Sequence, residues 1–390
     1  MGSKGLWAFI KPIIKRIPLA NLKNKRVFVR ADLNTTENKE SFVKNDFRLK
    51  SILPTLHNIR QQEGIIILCS HDGRPKHHEK NLSMEQFVPW FIQAGFTTIF
   101  AKTINQAHEL SLTKKYNIIL LENIRFFPEE ELCDTTFAQQ LSLCADYYVN
   151  DAFGSCHRSS TTLTTLPTLF EPSNRSIGLL IEKELAHINP FIEHQKHPFT
   201  LMIGGTKGET KIPLLHALLP HLDTILITTP LCFTFFKAMG KEIGKSYFEE
   251  NLIDSAKKLL KEAQKQNVSI IFPEDFQITE TSFEDPKKIS LTSNLQSQDI
   301  GISVGPRTTN CFKTKLLQAK TIFINGLPGN PNYIETLEST RIILHALQRF
   351  TGSSLIGGGD SINLVCQLGF NDINFLSTGG GATLAYMTYH

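Results

Sequence analysis

IIILCSHDGRPK, residues 65–76, opens with five apolar residues and no polar alternation. A short run of that kind reads as a strand buried on both faces, as in a parallel sheet covered by helices. It ends in His71, Arg74 and Lys76 around Gly73. Charge and glycine after a strand are ordinary in a solvated loop. At the carboxyl end of a parallel strand the same residues can also form an anion site, because ligands settle in the crevice beyond those ends. The other strand ends decide between these readings.

Outward from this segment the same unit recurs. RVFVRA (26–31), TTIFA (97–101), IILL (118–121) and DYYVN (146–150) are short and apolar, with helical patterns around 46–61, 83–94 and 129–142 between strands. IGLLIEKELAHINPFI (177–192) has the apolar spacing of a long helix. A second series follows: FTLMIGG (199–205), DTILITT (223–229), VSIIFP (268–273), KTIFING (320–326) and SSLIGGGD (353–360). The expected fold class is α/β, with two Rossmann-like lobes, each a parallel β-sheet covered by helices on both faces, joined by a hinge helix. The expected divisions are 1–181, a linking helix 182–197, 198–375 and a closing segment 376–390. No fixed-period repeat or low-complexity linker interrupts them.

At 390 residues, 41% hydrophobic and 20% charged, the chain can bury one or two cores. No apolar run reaches the length of a membrane span, so no membrane association is expected. The seven cysteines are odd in number and form no CxxC pair, which suggests neither a disulfide framework nor a zinc site and fits a reducing cytoplasm. A net charge of +4 without a basic, aromatic-interleaved stripe gives no reason to expect nucleic acid. Residues 1–26 carry seven Lys and Arg and no acid, but Pro12 and Pro18 break any long amphipathic helix there, so a plain arm is expected rather than a membrane-surface segment.

Arg30, Asp32 and Asn34 follow the first strand, and His71 and Arg74 the second. Arg125 follows IILL, and Asp151, His157 and Arg158 follow DYYVN, while Arg48 opens the helix after the first strand. One arginine in such a place is ordinarily a surface ion-pair partner, and Asp32 with Asn34 could be an Asx turn. Recurrence at successive strand ends points instead to a small, multiply anionic ligand, since guanidinium forks match phosphate and carboxylate oxygens and keep their charge.

The second half repeats the placement with glycine and lysine. IGGTKGETKI (203–212) sets Gly204 and Gly205 after a strand and Lys207 and Lys211 four residues apart. NGLPGN (325–330), GGGDS (357–361) and STGGGAT (377–383) are further glycine clusters. No Walker A or GxGxxG spacing occurs, and a single triplet is usually a turn. Four clusters at strand ends suit a nucleotide phosphate chain held by backbone N–H groups. Asp360 is the natural ligand for Mg²⁺, which is commonly held by one or two carboxylates plus phosphate oxygens. The two halves together suggest phosphoryl transfer between a small acid and a nucleotide.

VRADLN, SHDGRPK, LLENIRF, YVNDAFGSCHR, GLLIEKEL, GGTKGETKI, INGLPG, GGGDS and STGGGAT, in this order, make the chain similar to phosphoglycerate kinases along nearly its whole length. The resemblance implies reversible transfer of the acyl phosphate of 1,3-bisphosphoglycerate to ADP, giving 3-phosphoglycerate and ATP, with Mg²⁺, by a monomer. It implies phosphoglycerate binding by Asp32, Asn34, Arg48, His71, Arg74, Arg125, His157 and Arg158. Nucleotide binding falls to Gly205, Thr206, Lys207, Lys211, Asn325, Gly329, Asn332, Gly357, Gly358, Gly359, Asp360 and Ser361. Arg48, Lys211 and the amides around Gly358 and Gly380 would neutralise the transferring group, and Asp360 would hold the metal.

The chain departs from the family pattern on the nucleotide side. TTPL (228–231) stands where the family has a glycine-rich segment at the adenine, Asn332 where a glutamate bonds the ribose, Thr206 for alanine and Ser361 for threonine. These changes imply weaker ADP binding or relaxed base choice. The chain also stops at AYMTYH, short of the family's usual last segment, which leads us to expect looser coupling of the lobes. A catalytically weak relative, binding phosphoglycerate or nucleotide as a sensor, is the alternative, but retention of both Arg48 and Lys211 favours the enzyme. A nicotinamide-dependent dehydrogenase is disfavoured by the missing fingerprint after the first strand.

Overall fold

The computed structural model describes residues 21–34, 46–370 and 372–389. The basic arm lies almost wholly outside these residues. The chain divides into two compact units, Met1–Ala186 and His187–His390.

The first unit is built on six strands: β1 (Arg26–Ala31), β2 (Ile65–Cys69), β3 (Thr98–Ala101), β4 (Ile118–Leu121), β5 (Tyr147–Asp151) and β6 (Arg175–Ile177). All pair in parallel, in the order β3-β4-β2-β1-β5-β6. Successive side chains of a strand point to opposite faces, and both faces are filled here. Val27 and Val29 enter one core with Leu49, Leu56 and Phe91, whereas Phe28, Ile65 and Ile67 enter another with Phe137 and Leu141. That double burial is why β2 carries no polar alternation.

The second unit contains β7 (Phe199–Ile203), β8 (Thr224–Ile227), β9 (Ser269–Ile271), β10 (Phe276–Thr279), β11 (Ser290–Thr292), β12 (Ile300–Val304), β13 (Thr321–Asn325) and β14 (Ser353–Ile356). Five form a parallel sheet in the order β14-β13-β7-β8-β9, and the rest a small antiparallel sheet, β11-β10-β12. That small sheet is an addition to the expected architecture. The helix anticipated from GLLIEKEL spans Leu179–Glu193. The last helix, Gly381–Tyr389, packs on the helix Gly208–Leu218, and its Tyr386 hydroxyl donates to Asn189 Oδ1 at 2.7 Å, within the second unit.

In both parallel sheets the first strand lies between neighbours reached in opposite directions: β1 between β2 and β5, β7 between β13 and β8. Such switch points leave a crevice at the carboxyl ends. The loops after β1, β2 and β5, and after β7, β8 and β13, therefore converge in each unit.

Candidate active site

At the switch point of the first unit, Asp32 follows β1 and pairs with Arg48 Nη1 through Oδ1 at 2.6 Å. Its Oδ2 accepts the Ser155 hydroxyl at 3.2 Å. Burial alone would raise the carboxyl, but the charges of Arg48 and Arg30 and the Arg48 hydrogen bond outweigh it and hold Asp32 well below the usual carboxylate range. Asn34 Oδ1 accepts the Gly73 N–H at 3.1 Å, fastening the β1 loop to the glycine turn after β2. Arg125 Nη1 donates to the Gly73 carbonyl at 2.6 Å, so the turn is held from the β4 side as well.

His71 is 3% exposed, with Nδ1 3.4 Å from Arg30 Nη2. Burial, with Arg30, Arg125 and Arg48 around it, keeps the ring neutral despite the attraction of Asp32. His157 is pushed down to about 4 by burial and by Arg158, whose Nε donates to its Nε2 at 3.3 Å. Burial and the neighbouring Arg158 and Arg30 draw Arg125 down to about 10, still cationic at neutral pH. Such crowding of like charge is what a polyanion relieves. The structure thus gathers Asp32, Asn34, Arg48, His71, Arg125, His157 and Arg158, while Arg74 stands exposed beyond the turn.

Arg30 has a different part. It is 3% exposed and donates from Nε to Thr162 Oγ1 at 2.8 Å, with Glu130 Oε1 3.9 Å away. It is a buried support under the cluster, and Thr162 and Glu130 lie 100 or more residues away, beyond any local pattern.

In the second unit, Gly205 adopts φ +90°, and a side chain there would meet the Lys211 ammonium. Lys211 is 9% exposed in the first turn of the helix Gly208–Leu218, and Nζ donates to the Gly204 carbonyl. Burial draws its pKa down to about 8, opposed by Asp360 and aided by Lys207. Lys207 is exposed just before this helix. Gly326, at φ +127°, brings the turn after β13 against the Gly204 backbone, where a side chain would collide.

Asn325 ends β13 with Nδ2 buried and, among the described residues, without an acceptor. It lies against Gly357 and Gly358, at the start of the helix Gly359–Gln367. A buried donor without an acceptor costs about 1–3 kcal/mol, which a bound phosphate oxygen would recover. Ser361, buried in that helix, accepts the Gly326 N–H through Oγ at 3.1 Å. Asp360 and Gly359 are exposed beside it, and Gly380 approaches the Gly359 amide. Gly329 and Asn332 occupy the next turn, Gly329 packed on Thr336 and Asn332 exposed, with its N–H given to Asn330 Oδ1 at 3.0 Å. Thr206 is exposed at the mouth of the β7 turn.

The sequence reading missed Glu249, whose Oε1 accepts the Gly208 N–H at 2.8 Å and so occupies one amide of that helix start. It read Thr228 only as part of TTPL at the adenine and missed that its hydroxyl donates to the Gly326 carbonyl at 3.2 Å. Both contacts are long-range.

Comparison with known proteins agrees with this geometry. The family model for phosphoglycerate kinase matches residues 17–389. The phosphoglycerate kinase of Coprothermobacter proteolyticus is 36% identical over 380 residues, 96% of each chain. Phosphoglycerate kinase 3, cytosolic, of Arabidopsis thaliana is 34% identical, covering 94% of this chain and 93% of its own. Among solved structures, phosphoglycerate kinase from Coxiella burnetii superposes with a TM-score of 0.78 at 27% identity, over 97% of this chain and 96% of its own. The enzyme from Pyrococcus horikoshii gives 0.82 at 25% identity, over 95% of both. With its strand order, its two switch-point clusters and relatives of this similarity along nearly the full length, the chain belongs to the phosphoglycerate kinase family.

Proposed function

We propose that this phosphotransferase moves the acyl phosphate of 1,3-bisphosphoglycerate to ADP, forming 3-phosphoglycerate and ATP, and runs in reverse with a carboxyl group as acceptor. The observation that carries the reading is the gathering of Arg48, Arg125, Arg158 and two neutral histidines around Asp32, which suits a ligand with an anion at each end. Asn34 and Arg74 complete the proposed phosphoglycerate set.

The reacting carboxylate is ionised at neutral pH and needs no general base. Arg48 and Lys211 neutralise the transferring group, assisted by amides around Gly358 and Gly380. Lys207, Gly205, Thr206, Asn325, Gly329, Gly357, Gly359 and Ser361 hold the nucleotide phosphates, and Asn332 faces its sugar. Among the described residues no group of three or more His, Cys, Asp or Glu could cage a metal. One exposed carboxylate beside a phosphate cradle does fit Mg²⁺, which keeps waters and phosphate oxygens as its other ligands. Asp360 would hold it, and the ion would supply charge neutralisation to the phosphates. The linking helix is the proposed hinge by which substrates on separate units meet.

No helix among the described residues is long and apolar enough to cross a membrane. None of the seven cysteines forms a disulfide, which suits the proposed cytoplasmic monomer. The test is a coupled assay with 3-phosphoglycerate and ATP or GTP, with and without Mg²⁺, beside Lys211→Ala. Turnover that requires 3-phosphoglycerate and Mg²⁺ and is lost in the variant is expected. Nucleotide hydrolysis indifferent to 3-phosphoglycerate would overturn the assignment.

A further inference from the structure

We infer that the second unit carries a separate site for a small, multiply charged anion at the amino ends of its central strands. A cavity of about 440 Å³ lies there, lined by Lys196, Lys320, Arg349, Phe350, Thr351 and Ser353 among others. Its volume falls within the about 300–1,000 Å³ common for small-molecule sites. Lys196 comes from the loop before β7, Lys320 immediately precedes β13, and Arg349–Ser353 leads into β14. The glycine turns lie at the other ends of these strands, roughly 13 Å away along β13. This pocket is therefore distinct from the nucleotide cradle, and its test does not depend on the kinase reading.

Three features favour anion binding in this cavity. No acidic residue lines the cavity. Among the described residues no ion pair involves Lys196, Lys320 or Arg349, so three exposed cations line one cavity without a counter-charge. Such like-charge crowding at one concavity is relieved by an anion.

The loops are also tied together. Thr321 Oγ1 accepts the Lys196 N–H at 3.1 Å and donates to the Lys196 carbonyl at 2.7 Å. The Lys320 carbonyl accepts the Ser353 N–H at 3.0 Å, and the Lys320 N–H donates to Pro198 O at 2.8 Å. A side chain at Gly352 would strike both the Lys320 carbonyl and the Phe350 ring, so glycine there permits the closed floor. Lysine, arginine and two hydroxyls around a half-buried ring select a polyphosphate or phosphate ester over a neutral ligand.

Isothermal titration of tripolyphosphate into the full chain carrying Lys211→Ala, which weakens the glycine-turn site, measures this pocket. Beside any binding at the arginine cluster of the first unit, one tripolyphosphate per chain should bind at this pocket, more weakly as NaCl is raised. Adding Lys196→Ala, Lys320→Ala and Arg349→Ala should weaken it by about tenfold or more, as three charge contacts of modest strength are lost together. The exposed single change Thr351→Glu, which disturbs no core packing, should weaken it in the same direction. Equal affinity with and without these changes, or no binding to the Lys211→Ala chain, overturns the site.

Discussion

Asp151→Asn should abolish a pH dependence of stability that the chain carries between about pH 4 and 7. Asp151 ends β5 with no exposure to solvent. Its carboxylate accepts the Thr55 hydroxyl at 2.5 Å and the Ile181 N–H at 3.1 Å, and Thr55 Oγ1 in turn accepts the Leu179 N–H at 2.9 Å. Gly178 packs so closely that any side chain there would strike the carboxylate. One buried acid thus fixes the start of the helix Leu179–Glu193. Burial raises its pKa to about 7, and the charge of Glu184 on the same helix adds to this. The Thr55 hydroxyl and the Ile181 and Leu180 amides work in the opposite direction. Cys156, after β5, is a further titratable neighbour, but burial pushes its thiol up to about 12, so it stays neutral in this range.

Below about pH 4 both folded and unfolded chains hold the proton. Between the unfolded value of 3.8 and the folded value of about 7, only the folded chain holds it. Stability therefore falls as pH rises, by up to about 1.4 kcal/mol per unit and about 4 kcal/mol across the window. Above pH 7 the loss is complete and constant. Urea unfolding at pH 4.5, 5.5, 6.5 and 7.5 measures the effect by tryptophan fluorescence, since Trp90 falls in the first unit. The amide in Asp151→Asn places an N–H₂ among donors and shifts the whole curve, so the slope of the difference is the readout. Parallel curves, with a difference constant to about 0.5 kcal/mol, would refute the buried-proton argument.

Lys211, drawn down to about 8, loses its charge as pH rises through that value, so kcat/KM for nucleotide should decline above about pH 8. Lys211→Arg should move that limb upward, and Lys211→Ala should lower kcat by about 10²–10³-fold; an alkaline limb unchanged in Lys211→Arg would assign it elsewhere. His157 should titrate near pH 4, and His71 should stay neutral through the physiological range, both visible as imidazole resonances in NMR. A midpoint near 6.5 for either would show that the guanidinium crowding is not felt there.

The parallel strands were legible where burial is complete. β1, β2 and β4 match their apolar runs residue for residue, because a strand covered on both faces has no reason to alternate. β6, three residues long, and the helix Ile104–Thr113, with only Ala107 and Ser111 buried, gave no comparable signal. The antiparallel β10–β12 was missed because its register breaks between Gln277 and Ile278, and SLT at β11 is largely exposed. Strand ends could be read as anion chemistry one at a time. Their convergence depends on β1 and β7 lying at switch points, a property of strand order that no local spacing encodes. Arg30 shows the limit: grouped with the ligand donors by position, it is committed to Thr162 and Glu130 in the interior.

The TTPL replacement can be divided by the same accounting of hydrogen bonds. Residues 228–231 are all buried, and their hydroxyls are directed inward: Thr228 to the Gly326 carbonyl, and Thr229 to the Ile302 carbonyl at 3.1 Å. They tie the end of β8 to β13 and β12, and Thr228 Oγ1 fills the space that a side chain on Gly204 would need. Thr206 and Asn332, by contrast, are exposed. Thr228→Gly should therefore cost about 1–3 kcal/mol of stability, by removing a buried bond and freeing the backbone, while leaving the ratio of ADP to GDP turnover nearly unchanged. Thr206→Ala with Asn332→Glu should leave stability within about 0.5 kcal/mol and lower KM for ADP and GDP alike, since the two nucleotides share the ribose. Thermal melts and paired ADP and GDP kinetics on the two variants separate the roles, and a selectivity change confined to Thr228→Gly would place base recognition on the buried segment instead.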